Sequence, residues 1–333
     1  MEYFKFPYEE EKYEILIKKE AETDEKYGFY VDKRPIEYHL LHSIVNLDKP
    51  KGPTSHQVVA WIKNILGFKV GHGGTLDPKV TGVLPIGIGK ATRILRSFLL
   101  AGKEYIAWMH LHGDISEKKV LEAINKFKGE IIQKPPLKSA VKKVPRRKKV
   151  YCIKVLEVDG RDWILQIATE AGVYIRKLIH DIGKELGVGA HMQQLRRIRV
   201  AELKEYSEKY PIITLQDLVD SIWFWKNEGN EKYIRKVFLP QEVAVEHLKK
   251  IWVLDTAVNS ITYGANLYVS GISKLYSNIE RGDLVAIMTL KNELVAIGYA
   301  ILSSREIIEN NSGIAVDIDR VVMEKDIYPK VWK

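Results

Sequence analysis

Apolar residues spaced three and four apart mark several helices in the first two thirds of the chain. Val58, Ile62 and Leu66 share a face in a segment opened by Thr54 or Ser55 and closed by Gly67. Val120, Leu121, Ile124 and Phe127 repeat the pattern after Ser116, with Gly129 beyond. Ile175, Leu178, Ile179 and Ile182 line one face over 174–186, and Thr214 followed by Asp217 reads as a helix start of the capping-box kind. Two-residue alternation predicts strands at 44–47 and 105–112, and a hairpin of 150–158 with 163–169 around Asp159-Gly160-Arg161. Residues 71–90 are rich in glycine and read as loop. Helix and strand mix without a regular βαβ alternation, which favours an α+β sheet over a doubly wound one.

Near residue 245 the texture changes. Short strands at 252–254, 267–269, 284–290, 294–301 and 314–318, separated by glycine turns, suggest a small β-barrel of about 80 residues. Residues 1–35 are charged and aromatic without a clear period, as in an arm or a strand that packs on something distant. The length of 333 residues suits roughly two domains. With 46% hydrophobic and 29% charged residues the chain is not a disordered one. Its most apolar stretch, 284–302, is cut by Lys291-Asn292-Glu293 and reads as two strands and a turn, so no membrane span is expected. The N-terminal MEYFKFPYEEEKYE lacks the order of a secretion signal. A single cysteine, Cys152, excludes an intrachain disulfide and a Cys-rich zinc site and points to a reducing, cytoplasmic compartment.

Charge narrows the partners. Fifty-two Lys and Arg against 43 Asp and Glu give +9, a modest excess, but its distribution is uneven. KSAVKKVPRRKK, residues 138–149, holds seven basic residues and no acidic one; Arg196-Arg197-Ile198-Arg199 forms a second cluster. A lone basic run is as easily a solvated loop, but two such clusters favour a polyphosphate backbone.

Local motifs alone give little chemistry. In GHGGTLDPKVTGVLPIG, residues 71–87, Asp77 before Pro78 looks first like a helix N-cap with proline at the first helical position. The stretch lacks the GK[ST] ending of a phosphate-binding loop and the glycine spacing of a dinucleotide fold. His110 and His112 share a strand face but have no nearby third ligand, so ordinary strand residues are the simpler reading. Trp223-Phe224-Trp225 reads as core or a protein contact.

Five longer runs in order carry more: LDKPKGPTSHQVVAWIK (47–63), GHGGTLDPKVTGVLPIGIGKATR (71–93), AGKEYIAWMHLHGD (101–114), EAGVYIRKLIHDIG (170–183) and GVGAHMQQLRRIR (187–199). Together they resemble the TruB-type RNA pseudouridine synthases, and within them the archaeal dyskerin-like catalytic subunits of H/ACA ribonucleoproteins. The final segment resembles a PUA domain. The resemblance implies a mixed, largely antiparallel catalytic sheet over 36–245, a barrel-like PUA domain over 250–333, and an N-terminal arm, 1–35, packing on the PUA domain. It implies no metal and no cofactor. Box H/ACA guide RNA, rRNA or tRNA substrate, two small core proteins on the catalytic domain and a kink-turn-binding protein recruited through the guide are the implied partners. A stand-alone tRNA enzyme and a noncatalytic RNA-particle scaffold are the competing readings.

Carried over position by position, the resemblance makes Asp77 the nucleophile, Tyr105 the residue stacking on the target base, and Arg176 the partner of the aspartate. His72 would help receive the flipped nucleotide; Lys49 and Pro50 would pack beneath the tyrosine. The basic run falls where the family has a mobile thumb loop, so Lys138, Lys142, Lys143, Arg146 and Arg147 would grip RNA, with Arg196, Arg197 and the Gly264 turn of the PUA segment as further RNA contacts. The residue types suit the chemistry. A guanidinium beside a carboxylate favours its anion and fixes its orientation, and a carboxylate is a workable nucleophile. Whether Asp77 would attack ribose C1′, attack base C6 or remove a ribose proton is left open by sequence. Asn266 and Ser270 stand where the family usually has Asp and Pro, and 98–102 lacks an expected proline.

Overall fold

A computed structural model of the chain describes residues 2–135, 142 and 144–330. Its first sheet, ten-stranded among the described residues, runs Leu239–Pro240, Ser43–Lys49, Thr81–Ile88, Ala190–Val200, Lys103–Leu111, Asp162–Thr169, Arg146–Asp159 and Gly129–Gln133, with two short strands beside this path. Its pairings are antiparallel except the one between Thr81–Ile88 and Ala190–Val200. The second sheet has seven strands among the described residues, six from the C-terminal part and one, Ile15–Ile17, from the arm, again mixed, with Lys249–Val253 parallel to Leu284–Met288. The α+β class follows directly.

The periodicities find their burial. In helix Ser55–Leu66, Thr54 accepts from the Gln57 backbone, the Gln57 side chain accepts from the Thr54 N–H in return, and Gly67 closes the end at φ +72°. Val58 and Ile62 pack on Val45, Leu47, Leu84 and Ile86. Helices Glu117–Lys126 and Ile175–Glu185 bury Val120, Ile124, Leu178, Ile179 and Ile182 against Ala107, Met109, Trp163, Leu165 and Ile167. Each fully buried aliphatic side chain contributes about 1.5–3 kcal/mol.

Several elements depart from the pattern reading. The C-terminal part is not strands alone: Asp255–Thr262 and Ser304–Glu309 are helical. The first is disguised by Val258, Ile261 and Thr262, β-branched residues that suit a strand as well. Ile272–Tyr276 is a strand, and it pairs with Ile15–Ile17 of the arm. The arm also reaches the first sheet: Phe6 is buried under Arg199, 4.7 Å from ring to guanidinium, and the Phe4 N–H donates to Glu104. Part of the basic run is no loop, because Arg146–Lys149 extends a strand paired with Gly129–Gln133. Lys138 and Lys143 lie outside the described residues.

One core bridges the two sheets. Leu95, Phe98, Val200, Leu203 and Val243–Val245 from the first part meet Trp252, Met288, Leu294, Ile297 and Val322 from the second. Among the described residues no helix is long and apolar enough to cross a membrane.

Candidate active site

Four central strands bring one row of residues into register. Lys49 lies opposite Gly82, Gly82 opposite Arg197, and Arg197 opposite Tyr105. Gly82 is required there: its φ is +101°, and an added Cβ would stand 2.1 Å from the Arg197 carbonyl oxygen. The glycine-rich loop enters this row from the N-terminal side, carrying Asp77.

That loop is a turn and not a helix start. The Val80 N–H donates to the Asp77 carbonyl at 3.0 Å, with Pro78 in the position after the aspartate. Proline suits the second place of a β-turn for the same fixed φ that suits a helix start, which is why the local pattern misleads. Around it, Leu76 is buried and tied in both directions to Ser55 Oγ, which accepts from its N–H at 2.8 Å and donates to its carbonyl at 3.0 Å. Lys49 is fully buried and donates to the carbonyls of Pro50 at 2.8 Å, Val80 at 2.9 Å and Pro78 at 3.4 Å. Burial pulls its pKa below the usual lysine range while the Asp77 charge opposes that. Through these bonds Lys49 braces the aspartate turn, with the Pro50 carbonyl as one of its acceptors.

Arg176 projects from the first turn of helix Ile175–Glu185 and its Nη2 donates to Asp77 Oδ2 at 2.5 Å. Both side chains remain more than half exposed, 65% and 54%. An exposed pair of this kind adds about 0–1 kcal/mol to stability, so its consequence is orientation. The helix start is held by Gln133, a buried side chain the sequence reading missed: it accepts from the Tyr174 N–H at 3.0 Å and donates to the Tyr174 carbonyl at 3.3 Å. No local sequence pattern singles it out.

Tyr105 is 7% exposed, and burial raises its phenol pKa although the adjacent Arg197 guanidinium works against the rise. The hydroxyl is thus protonated at neutral pH. His72, half-buried in the short strand Val70–His72, has its pKa lowered by burial and by His56 and Arg197, so its imidazole is neutral at pH 7. The Gly74 N–H approaches its Nδ1 at 3.4 Å, and the His56 ring lies 5.1 Å away edge-on.

The proposed RNA contacts divide. Lys142, Arg146 and Arg147 are exposed, with Arg147 only 3.9 Å from the equally exposed Glu130. Arg196 is bonded to both Asp48 oxygens at 3.0 and 2.9 Å and to Glu205 at 2.9 Å. Arg197 is 2% exposed and spends its donors on the carbonyls of Val83 and Gly74. These partners occupy the two guanidinium groups, and Arg197 in particular is an internal brace rather than a surface contact. Gly264 sits in an open turn at φ +97°, and Asn266 accepts from the Ile318 N–H at 3.1 Å, so the turn is held although Asp is absent. His110 pairs with Asp162 at 2.8 Å and His112 with His191 at 2.9 Å; among the described residues no group of three or more His, Cys, Asp or Glu could hold a metal ion.

The structure thus clamps Asp77 on its turn with Arg176, braces that turn from Lys49, and ties the same loop at Gly74 to Arg197, the register partner of the buried Tyr105. Comparisons with known proteins agree along the chain. Residues 63–175 match the TruB family pseudouridylate synthase N-terminal domain, 176–246 the tRNA pseudouridylate synthase B C-terminal domain, 249–322 the PUA domain and 4–59 the DKCLD domain. A probable tRNA pseudouridine synthase B of Nanoarchaeum equitans is 64% identical over 326 residues, 98% of this chain and 92% of that protein. A chain in the crystal structure of a Cbf5-Nop10-Gar1 complex superposes with TM-score 0.92 at 57% identity, covering 97% of this chain and 98% of that one. Another, in an H/ACA RNP bound to a substrate RNA containing 2′-deoxyuridine, gives 0.90 at 55% identity and covers 98% and 100%. The chain belongs to the TruB family of RNA pseudouridine synthases, in its PUA- and DKCLD-containing form.

Proposed function

We propose that this enzyme converts uridine to pseudouridine in rRNA, and in tRNA, as the catalytic subunit of a box H/ACA guide-RNA particle, with Asp77 as the nucleophile. The near-complete likeness to chains solved with Nop10 and Gar1 and in an H/ACA RNP supports the particle, with two small core proteins on the catalytic domain. The kink-turn-binding protein is reached through the guide. The observation that carries the catalytic reading is the 2.5 Å contact from Arg176 to Asp77, on a turn that Lys49 pins from beneath.

In the reaction the N1–C1′ bond breaks, C5 bonds to C1′, the C5 proton is lost and N1 gains one. The Asp77 anion would attack C1′ or C6, or remove a ribose proton; each route needs a carboxylate held at one angle, which Arg176 supplies. Tyr105 offers the ring on which the detached uracil stacks while it turns, and its buried hydroxyl stays a proton donor. His72, neutral, lines the approach. The target must leave its own stack, at about a few kcal/mol, and a guide-opened bubble lowers that cost. Lys142, Arg146 and Arg147, with Lys138 and Lys143, would hold phosphates, and the PUA sheet with the Gly264 turn would hold the end of the guide.

The RNA that copurifies with the chain tests the particle. The account expects a small RNA with pockets complementary to rRNA, and pseudouridine formation at the paired uridine only when that RNA is present. Full turnover on a free tRNA stem-loop, with no gain from guide or partner proteins, would establish the stand-alone enzyme instead.

A further inference from the structure

Arg197 lies under both working parts of the site, yet no step above uses it. Its Nε donates to the Val83 carbonyl at 2.8 Å and its Nη2 to the Gly74 carbonyl at 2.9 Å, so it grips the Asp77 loop on both sides of the aspartate. Its register partner on the next strand is Tyr105, whose phenol interacts electrostatically with the guanidinium. The backbone is shaped around it: Gly74, at φ +140°, would set a Cβ 3.5 Å from Nη1, and Gly82 admits the Arg197 carbonyl where any Cβ would collide. Among the described residues no carboxylate pairs with this cation, although it is almost fully buried. A buried, unpaired cation is costly, and an apolar side chain would pack the same volume without that cost.

We propose that Arg197 is a positioning residue for the isomerisation: one planar guanidinium sets the spacing between the Asp77 turn and the Tyr105 ring. A guanidinium only donates, so beside the phenol it favours the orientation that turns the oxygen lone pairs toward it. Lysine would keep the charge but lose the fork that holds both loop carbonyls at once. This inference rests on the pseudouridine synthase reading and deepens it. Its consequence is that losing the fork slows the chemical step and leaves RNA affinity alone, because Arg197 offers nothing to solvent.

The test is single-turnover pseudouridine formation by the full chain assembled with its guide RNA and copurifying proteins, beside wild type. Arg197→Lys is expected to lower the rate constant at least tenfold while the Kd for substrate RNA stays within twofold, measured well below its thermal midpoint. In a Tyr105→Phe background, which lacks the phenol oxygen, the same substitution should cost threefold or less. A wild-type rate for Arg197→Lys would overturn the proposal, as would an equal factor in both backgrounds or a loss seen entirely in RNA affinity. Arg197→Met should be slower still; if it does not fold, the lysine variant and the paired backgrounds carry the decision. Absence of turnover in wild type would count against the enzymatic reading itself, not against this inference.

Discussion

Lys103 shows how closely the Tyr105 strand is bound to its surroundings. Its ammonium is buried beside Tyr105 in sequence and donates to the carbonyls of Phe98, Leu99 and Ala101, closing the end of helix Leu95–Leu100. These bonds stiffen the segment where a proline was expected. Burial, with the positive charges of Arg197 and Lys148, pushes its pKa down to about 7. The folded state therefore releases this proton before the unfolded state does. Between about pH 7 and about 10.4 the unfolded chain binds more protons, and stability from this group rises with pH. Denaturant midpoints from pH 6.5 to 9.5 should rise more steeply in wild type than in Lys103→Met, and parallel curves would contradict the buried cation. Roles such as this were invisible in the sequence, where KEY is simply the start of a strand. Asp77, Tyr105 and Arg176 are singled out only by the five ordered motifs, and the structure brings the aspartate and the arginine together; the aspartate alone points to a helix cap. Arg197 was misplaced because a basic cluster looks the same whether its members face phosphate or carbonyl groups.

The longer helices of the catalytic part were legible because apolar periodicity and caps agree in them, as at Thr54 with Gln57 and Thr214 with Asp217. Short strands were less so: Ile272–Tyr276 exists as a strand because its neighbours pair with it from far along the chain, the arm among them, a long-range fact no local window holds. The strand Arg146–Asp159 carries the proposed phosphate grip at its exposed beginning. Removing the charges of Lys142, Lys143, Arg146 and Arg147 together should weaken substrate RNA binding and flatten its salt dependence, by roughly 0.7 in the log–log slope for each phosphate no longer neutralised. The single-turnover rate at saturating RNA should hold. Unchanged affinity and slope in that variant would remove the run from the RNA-binding surface.

The arm, the catalytic part and the C-terminal part are joined through one buried ionic node as well as the shared apolar core. Arg34 makes a two-pronged bond to Glu242 at 2.8 Å on each arm, and Glu293, in the turn just before strand Leu294–Ala300, lies 3.9 Å from the same guanidinium. Glu293 in turn accepts from the Tyr328 hydroxyl at 2.6 Å and the Phe29 N–H at 3.0 Å. Arg34→Met would leave two buried carboxylates without their cation, and should cost about 3–5 kcal/mol in chemical denaturation. A cost under about 1 kcal/mol would show that the node does not hold the parts together. With the core shared, tryptophan fluorescence and far-ultraviolet circular dichroism should report one coincident unfolding transition. Under the proposed function the shared core and node would keep the PUA sheet and the aspartate turn at a fixed distance, so that a guide held at one end would measure the target uridine at the other. The assignment on which all of this depends is the carboxylate. Pseudouridine yield from the assembled particle with Asp77→Asn, at matched RNA occupancy, tests it most directly. The account predicts product below one part in a thousand of wild type with RNA affinity within twofold, and sustained turnover by that variant would contradict it.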